Sequence, residues 1–336
     1  MSATSAAVAA LQLAVYYLDR GFEPATKARA FVRAAKVVAE LGDDELTSRV
    51  EAGTLTDLGG IGPSTASVIA DAVRGRPPTY LTGLDERTRL DAGAGAALAD
   101  QCRSDLHSHS TWSDGGASIG TMALTARALG RTHLALTDHS PRLTVARGLT
   151  PDRLADQLIE VAALNEELAP FRILTGCEVD ILLDGSLDLP DDVLAGLDVV
   201  VASAHSKLSM PERPMTERLV RAAASPHVDI LGHCTGRMLT GRGRPPSAFD
   251  AELVFAACAR FGTAVELNCR PERQDPPEDL LEVALEWDCF LAVNSDAHSP
   301  GQLEWVTHGY KRLGERGISA GRILTTWDAE ALLDWC

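Results

Sequence analysis

Two histidines in the stretch Asp105-Leu106-His107-Ser108-His109-Ser110 have the spacing of metal ligands. In an extended chain, residues two apart point to the same side, so both imidazoles can reach one ion. A single His-x-His pair is weak by itself. This pair gains weight because further candidate ligands lie close behind it or at the ends of later apolar runs. They are Asp114, His139, Glu178, His205, His233, Asp296 and His298.

Nine such side chains predict a polynuclear metal centre. Mixed imidazole and carboxylate ligands suit Zn²⁺, Mn²⁺ or Fe²⁺ better than Mg²⁺ or Ca²⁺. The ligand types leave open which of the three ions is bound. We expect Asp138 to orient an imidazole rather than to bind metal. His133, His227 and His308 do not follow an apolar run in this way, and we interpret them as ordinary structural or surface histidines.

The elements that position these residues repeat as strand, ligand, loop and helix. Helical stretches such as 119–129, 151–167 and 249–261 alternate with the apolar runs. Ligands at the carboxyl ends of many strands are typical of a barrel, whereas an open sheet gathers them at one crevice. We therefore predict an α/β barrel of seven βα units. Its strands are expected near 104–107, 133–138, 173–178, 198–204, 229–233, 264–268 and 290–295.

The first part of the chain is expected to be a small all-α domain. Helical periodicity extends from about residue 3 to 84, interrupted by Leu58-Gly59-Gly60-Ile61-Gly62. Glycines at this turn, with backbone N–H groups opening the next helix, are typical of the hairpin of a helix-hairpin-helix that contacts a phosphate. A helical docking domain without a ligand is the alternative. We predict a helical domain over 1–86, a linker over 87–101 and the barrel over 102–336.

Composition limits the other possibilities. The chain has 336 residues, 45% of them hydrophobic, which is enough for a large barrel and a small extra domain. A formal net charge of −16 argues against a general electrostatic grip on nucleic acid. Seven cysteines without a Cys-x-x-Cys pair indicate reduced thiols. The apolar N-terminal run is too short to cross a membrane. We expect a cytoplasmic monomer without a membrane partner.

The barrel motifs resemble those of the PHP (polymerase and histidinol phosphatase) domain. The resemblance covers nearly all of 103–336 and is closest to the form at the C-terminus of bacterial family X DNA polymerases. It implies a distorted, TIM-like (β/α)7 barrel and three metal ions. The first ion would be bound by His107, His109, Glu178 and Asp296, the second by Glu178, His205 and His233, and the third by Asp114, His139 and His298.

The segment from Lys27 to Arg76 resembles the N-terminal domain of the same polymerases, which has lyase activity in DNA polymerase beta. The Schiff-base lysine of that family falls on Val68 here, and a phosphate-binding lysine falls on Ser64. Lyase chemistry needs the amine, so we expect none. There is no room for the polymerase palm and fingers between the two domains. We expect any DNA contact to be weak and to use Gly60, Gly62, Lys27, Arg29 and Arg33.

The expected chemistry is phosphoester hydrolysis by water. Clustered metal ions lower the pKa of bound water and stabilise the phosphoryl oxygens, and no Ser-His-Asp or Cys-His grouping offers a side-chain nucleophile. Arginines after the strands can bind phosphate oxygens in pairs. These are Arg237, Arg242, Arg244 and Arg273. We expect His107, Glu178, Asp296 and Arg237 to be catalytic.

Three functions remain open from the sequence. The first is a phosphatase acting on a phosphomonoester. The second is a DNA 3′-end-processing exonuclease or phosphatase in DNA repair, to which the helical domain would present a strand end. The third is a non-catalytic module stabilised by metal. The acidic charge favours the first function, and the pairing of domains favours the second.

Overall fold

A computed structural model describes all 336 residues, which form two compact units, Met1–Leu90 and Asp91–Cys336. The division falls inside the stretch 87–101 that we predicted as a linker. Residues 96–99 of that stretch form a short helix that packs on a later helix of the second unit. A side chain at Gly95 would collide with the backbone carbonyl of Tyr310, so glycine is required at this contact.

The first unit is a bundle of five helices. The first helix is amphipathic and buries Leu11, Ala14 and Leu18 against the other four. Its N-terminus is capped by the Ser2 hydroxyl, which accepts a hydrogen bond from the backbone N–H of Ser5. The helices are α1 (Ala3–Arg20), α2 (Ala25–Ala39), α3 (Asp43–Ala52), α4 (Pro63–Val73) and α5 (Thr79–Thr88).

The second unit contains six parallel strands that pair in chain order. The strands are buried except at Arg172 and Thr175 of the longest one, as expected where helices cover a parallel sheet. The strands are β1 (His133–Leu136), β2 (Arg172–Asp180), β3 (Val199–Ser203), β4 (Ile230–Leu231), β5 (Ala264–Asn268) and β6 (Leu291–Asn294).

Helices follow or precede the strands throughout this unit. Several begin at a residue whose side chain accepts a hydrogen bond from the first turn, such as Ser118, Thr150 and Asp250. The helices are α6 (Ala96–Ala99), α7 (Ile119–Ala128), α8 (Pro151–Leu168), α9 (Asp191–Leu194), α10 (Glu212–Ala223), α11 (Ala251–Phe261), α12 (Glu278–Glu286), α13 (Val306–Gly314) and α14 (Ala329–Trp335). None of the helices in the chain is both long and apolar enough to cross a bilayer.

The seventh expected strand, near 104–107, is an extended segment rather than a regular strand. On one side Ala135 N–H donates to the Asp105 carbonyl at 2.9 Å, and on the other His109 N–H donates to the Ala297 carbonyl at 2.8 Å. Between these bonds, Leu106 N–H donates to the side chain of Asn294, which interrupts the regular backbone ladder. The segment therefore joins β1 to the end of β6, and the predicted α/β barrel is confirmed.

Candidate metal centre

All nine predicted ligands come together at the carboxyl-terminal end of the strands. His107 and His109 lie on the extended segment 104–109, and Glu178 lies on β2. Parallel strands bring their carboxyl ends to one rim, so residues far apart in sequence become neighbours there. The other ligands follow the segment or the ends of β1, β3, β4 and β6, and they are Asp114, His139, His205, His233, Asp296 and His298.

Glu178 is the centre of the group. Its Oε2 atom lies 2.7 Å from Nδ1 of His139 and 3.4 Å from Nε2 of His107. Its Oε1 atom lies 2.8 Å from Nε2 of His233 and 3.2 Å from Nε2 of His205. One carboxylate thus faces four imidazoles with both oxygens, which is the arrangement needed for a bridging ligand.

A second subgroup surrounds Asp114. Its Oδ1 atom lies 3.3 Å from Nε2 of His298 and 3.5 Å from Nε2 of His139. His109 joins the two subgroups, because its Nε2 atom lies 3.3 Å from Oδ1 of Asp296 and its ring packs 4.2 Å from that of His298. The nine side chains therefore form one connected cluster.

Six ring nitrogens at this centre are buried without a hydrogen-bond partner. They are Nε2 of His107, both nitrogens of His109, Nδ1 of His139, Nε2 of His205 and Nδ1 of His233. A buried polar atom without a partner costs about 1–3 kcal/mol, and metal coordination would satisfy it. Nitrogen and carboxylate donors within reach of each other are also the donor set of Zn²⁺ and Mn²⁺. The residues present fit divalent metal ions.

The charge of Glu178 suits this role. Burial alone would raise the pKa of its carboxyl, but the imidazoles of His139, His205 and His107 hold that pKa well below its usual range. Glu178 is thus a carboxylate in the folded protein, and both of its oxygens are available as ligands.

The imidazoles differ in their protonation. Burial and the neighbouring His298 hold the pKa of His109 well below its usual value, and burial together with Arg273 lowers that of His233. The pKa of His205 is raised to about 9, because Glu178 and Asp180 outweigh the effect of burial. A ligand must be neutral, so binding an ion at His205 would release a proton.

Two carboxylates that the sequence did not reveal orient the ligands. Oε1 of Glu266, on β5, lies 2.6 Å from Nδ1 of His107, and its Oε2 accepts the backbone N–H of His233 at 2.6 Å. Oδ1 of Asp180 lies 3.1 Å from Nδ1 of His205. Such contacts fix the orientation of a ligating imidazole. The only signal in the sequence is an acid inside an apolar strand, as in Ala264-Val265-Glu266-Leu267-Asn268.

Asp138, which we expected to orient an imidazole, holds a loop instead. Its carboxylate accepts hydrogen bonds from the backbone N–H of Ser110 at 2.8 Å and from the hydroxyl of Ser113. It also accepts from the amide of Gln157 at 2.6 Å. Ser110 and Ser113 lie on the turn that connects His109 to Asp114, so these bonds fix the position of that turn.

Seven of the nine candidate ligands line a cavity of about 270 Å³, whereas His107 and His109 are fully buried and do not line it. Two arginines line it, and only Arg273 was among the predicted phosphate ligands. The other is Arg270, whose guanidinium lies 3.6 Å from Oδ1 of Asp296 and forms a salt bridge of 2.8 Å with Glu272. Arg270 follows β5 directly, so the strand-end pattern that identified the histidines also applied to it.

The other three predicted phosphate ligands do not line this cavity. The guanidinium of Arg237 donates to the backbone carbonyls of Arg273 and Gln274, so it braces the loop that carries Arg273. Arg242 is exposed on the loop after β4. Arg244 lines a neighbouring cavity. Their shared position after a strand did not distinguish a side chain that lines the cavity from one that supports a loop.

The predicted DNA-contacting residues all lie in the helical unit. Gly60 has a φ of 96°, which favours glycine, and Gly62 is the residue before α4. Lys27, Arg29 and Arg33 are exposed on α2, and Lys27 forms a 2.6 Å salt bridge with Glu23. The backbone N–H of Gly62 donates to the hydroxyl of Thr65, so that group already has a partner.

Comparisons with known proteins give relatives that match about two thirds of this chain. A DNA polymerase/3′-5′ exonuclease PolX of Bacillus subtilis (strain 168) is 46% identical over 209 residues, which are 62% of this chain and 36% of that protein. The chain thus matches about a third of that relative's length. A protein of Thermoanaerobacter sp. (strain X514) named "Probable phosphatase" is 30% identical over 234 residues, 66% of this chain and 89% of that protein.

The solved structures include a histidinol phosphate phosphatase from Lactococcus lactis subsp. lactis, complexed with zinc, L-histidinol and phosphate. It is 16% identical, with a TM-score of 0.46, and the match covers 65% of this chain and 94% of that one. The PHP domain profile matches residues 105–268, which contain seven of the nine candidate ligands. With that match, and with a 30% identical relative matched over most of its length, the chain belongs to the PHP domain family.

Proposed function

We propose that the protein is a hydrolase that releases phosphate from a phosphomonoester, with water as the nucleophile and divalent metal ions as cofactors. The observation that carries this proposal is the convergence of nine candidate ligands, with Glu178 at their centre, at a cavity that seven of them line together with Arg270 and Arg273. The name of the Thermoanaerobacter relative supports the same reaction class.

We assign the nine ligands to three ions, with Glu178 shared by two of them. Ions at such a centre supply a bound water of near-neutral pKa and neutralise charge on the phosphoryl oxygens. Zinc or manganese fits the donor set, and ferrous iron is an alternative. The first ion would be held by His107, His109, Glu178 and Asp296, the second by Glu178, His205 and His233, and the third by Asp114, His139 and His298.

Arg273 is the best-placed protein group for binding the phosphate. Its Nε atom is buried without a hydrogen-bond partner and lies 3.4 Å from Oδ2 of Asp296, at the wall of the cavity. A guanidinium can bind two phosphoryl oxygens at once and stabilise charge that develops during hydrolysis. Arg237 acts on the phosphate only indirectly, by bracing the loop of Arg273.

The open cavity argues against a module that is only stabilised by metal. A purely structural site is closed on all sides by protein ligands, whereas a catalytic site keeps an open position. Here Asp114 is 36% exposed and His298 is 20% exposed, so solvent and substrate reach the ligands. The proposed function is therefore catalytic.

The test is phosphate release by the metal-loaded chain. We expect turnover of p-nitrophenyl phosphate with Zn²⁺ or Mn²⁺, loss of turnover with a chelator and recovery on adding the ion back. The same preparation should be assayed on oligonucleotides that end in a 3′-phosphate or a 3′-hydroxyl. Absence of phosphate release from p-nitrophenyl phosphate and from the 3′-phosphate end, at full metal content by elemental analysis, would refute the proposal.

A second candidate is the processing of DNA 3′ ends, and it rests on the Bacillus relative with its exonuclease name. Residues 1–100 contain ten basic and 13 acidic side chains, so any contact through Lys27, Arg29 and Arg33 would be weak. We expect log K to fall by roughly 0.9 per contacted phosphate per tenfold rise in salt. Substituting these three residues with Gln should slow oligonucleotide turnover and leave p-nitrophenyl phosphate turnover unchanged if this candidate is right.

A further inference from the structure

A second cavity adjoins the metal centre. It has a volume of about 430 Å³ and lies between the turn after β3 and the loop after β4. His205 lines both cavities, so the two are neighbours across one proposed ligand. The residues around the second cavity are His205, Lys207, Leu208, Ser209, Met210, Arg244, Pro245, Pro246 and Ala248.

The two walls of this cavity are joined by Ser247. Its hydroxyl donates to the Leu208 carbonyl at 2.8 Å, and its backbone N–H donates to the Thr235 carbonyl at 2.9 Å. Ser247 is 6% exposed, so water does not compete strongly for these bonds. The relative position of the walls is therefore set by the fold before any substrate binds.

The lining carries two cations and no acid. Nζ of Lys207 forms no ion pair and no hydrogen bond. Arg244 is exposed, and its Nε donates to the Gly236 carbonyl at 2.6 Å, which leaves both of its Nη atoms without a partner. In a chain with a net charge of −16, two unpaired cations in one cavity are a local exception.

Lys207 also has an unusual backbone conformation. Its φ is 53°, in the left-handed region that glycine and asparagine adopt more readily, and its carbonyl accepts the Met210 N–H at 3.0 Å to close the turn. Residues kept in such conformations cluster at functional sites. The turn keeps a lysine at this place although glycine would fit the backbone better.

The rest of the lining is apolar. Leu208, Met210, Pro245 and Pro246 offer hydrocarbon surface next to the two cations. Such a mixture of apolar surface with a few fixed polar groups is typical of a pocket for a small organic group. Because His205 lines both cavities, a molecule with its phosphoryl group at the metal centre can extend past His205 into this pocket.

We propose that this pocket binds the leaving group of the phosphoester and selects one that carries a second anionic group beside an apolar part. The inference rests on the proposed phosphatase function and deepens it. Lys207 and Arg244 contact the second anion, and the apolar wall contacts the carbon skeleton that connects the two anionic groups. The second anion belongs either to a small bisphosphorylated molecule or to the next phosphodiester of an oligonucleotide, since both present the same chemistry.

The experiment compares kcat/KM for substrates that differ only in the leaving group. Propyl phosphate has a neutral leaving group, whereas 3-phosphonopropyl phosphate adds a phosphonate that cannot be hydrolysed. A dinucleotide with a 3′-phosphate presents a phosphodiester as the second anion. We expect the metal-loaded chain to prefer at least one anionic substrate by about tenfold, the effect of one hydrogen bond between charged groups, mainly through KM.

Lys207→Gln and Arg244→Gln should each reduce that preference ratio severalfold. Arg213→Gln is the matched control, because Arg213 is exposed on α10 and pairs only with Glu217 at 3.0 Å. Its ratio should equal that of the wild type. A preference for the phosphonate alone would assign a small molecule, and a preference for the dinucleotide alone would assign a nucleic-acid end.

Equal kcat/KM for all three substrates, with measurable turnover, would overturn the inference and leave the phosphatase function intact. A preference that survives in both variants would also overturn it, because the selectivity would then come from the metal centre. If no ester is hydrolysed at full metal content, the proposed function itself is wrong.

Discussion

Oε1 of Glu266 lies 2.6 Å from Nδ1 of His107, and both side chains are fully buried. The contact leaves Nε2 of His107 facing Glu178, where it has no hydrogen-bond partner. Burial raises the pKa of Glu266, but the charge of His107 outweighs this and lowers it. A carboxylate that contacts one nitrogen of an imidazole makes the other nitrogen a stronger metal ligand.

Glu266→Gln is therefore expected to weaken metal binding by about 10- to 100-fold, the usual effect of losing a partner of a ligand. The amide lacks the negative charge that favours the required orientation of His107. The same charge strengthens the hydrogen bond that Glu266 accepts from the backbone N–H of His233. Competition with a chelating dye at fixed pH measures the affinity. Unchanged affinity together with wild-type phosphate release would show that Glu266 only fills space.

Glu178→Gln is expected to remove most activity and to lower the number of bound ions. A bridging carboxylate binds two ions with two anionic oxygens, whereas the neutral amide does so poorly. Elemental analysis and phosphate release should be measured on the same preparation. The control is Glu282→Gln, because Glu282 lies on α12 and pairs only with Arg316 on the outside of the barrel. Full metal content with normal turnover in the Glu178→Gln variant would exclude Glu178 from the centre.

The convergence of the candidate ligands could be predicted from the sequence because their position depends on a local pattern. An apolar run followed by His or Asp predicts a strand with a polar side chain at its end, and parallel strands share one rim. The same reasoning predicted helices such as α8, expected at 151–167 and observed at Pro151–Leu168. What a ligand contacts within the strand layer could not be predicted in this way.

Glu266 and Asp180 illustrate the limit. An acidic residue inside an apolar strand can lie at a bulge, lie on an edge strand or contact a buried polar partner. Its own sequence does not distinguish these cases, because they depend on the residues of the neighbouring strand. The same holds for Arg237 and Arg273, which both follow strand ends, yet one braces a loop and the other lines the cavity. The extended segment 104–109 lost its regular ladder through the side chain of Asn294, which lies 188 residues from Leu106.

A pH-dependent stability is expected from Asp229, at the end of the barrel where β4 begins. Burial raises the pKa of its carboxyl to about 7, even though it accepts the Val200 N–H at 2.7 Å. An unfolded aspartate titrates near 3.9, so between about pH 4 and 7 the folded chain holds a proton that the unfolded chain has lost. This contribution is fully present below pH 4 and is lost as the pH rises to 7.

Asp229→Asn should therefore stabilise the barrel at pH 8, by about 1–3 kcal/mol, and much less at pH 5. The amide oxygen can still accept the Val200 N–H without a buried charge. Urea unfolding followed by tryptophan fluorescence measures this, because all five tryptophans lie in Asp91–Cys336. Asp192→Asn, at an exposed position in the first turn of α9, is the control. An equal effect of Asp229→Asn at both pH values would contradict the raised pKa.

The helical unit is expected to have no lyase activity, although its sequence resembles a lyase domain. Schiff-base formation requires a primary amine next to the abasic sugar. The resemblance to that lyase domain places the expected amine at the position of Val68, which lies on α4 and is fully buried in the core of the bundle. The two lysines of the unit, Lys27 and Lys36, are both exposed on α2, and Lys27 is paired with Glu23.

Borohydride trapping on a 5′-deoxyribose-phosphate substrate tests this expectation directly, because it turns any Schiff base into a stable covalent adduct. A chelator should be present, so that the metal centre cannot hydrolyse the substrate first. We expect no adduct. An adduct that disappears in Lys36→Ala but remains in Lys27→Ala would show that Lys36 on α2 supplies the amine. The long side chain of an exposed lysine can extend over apolar surface and keep its amine in water. The absence of an adduct in all three chains would leave the barrel as the chemical centre of the protein.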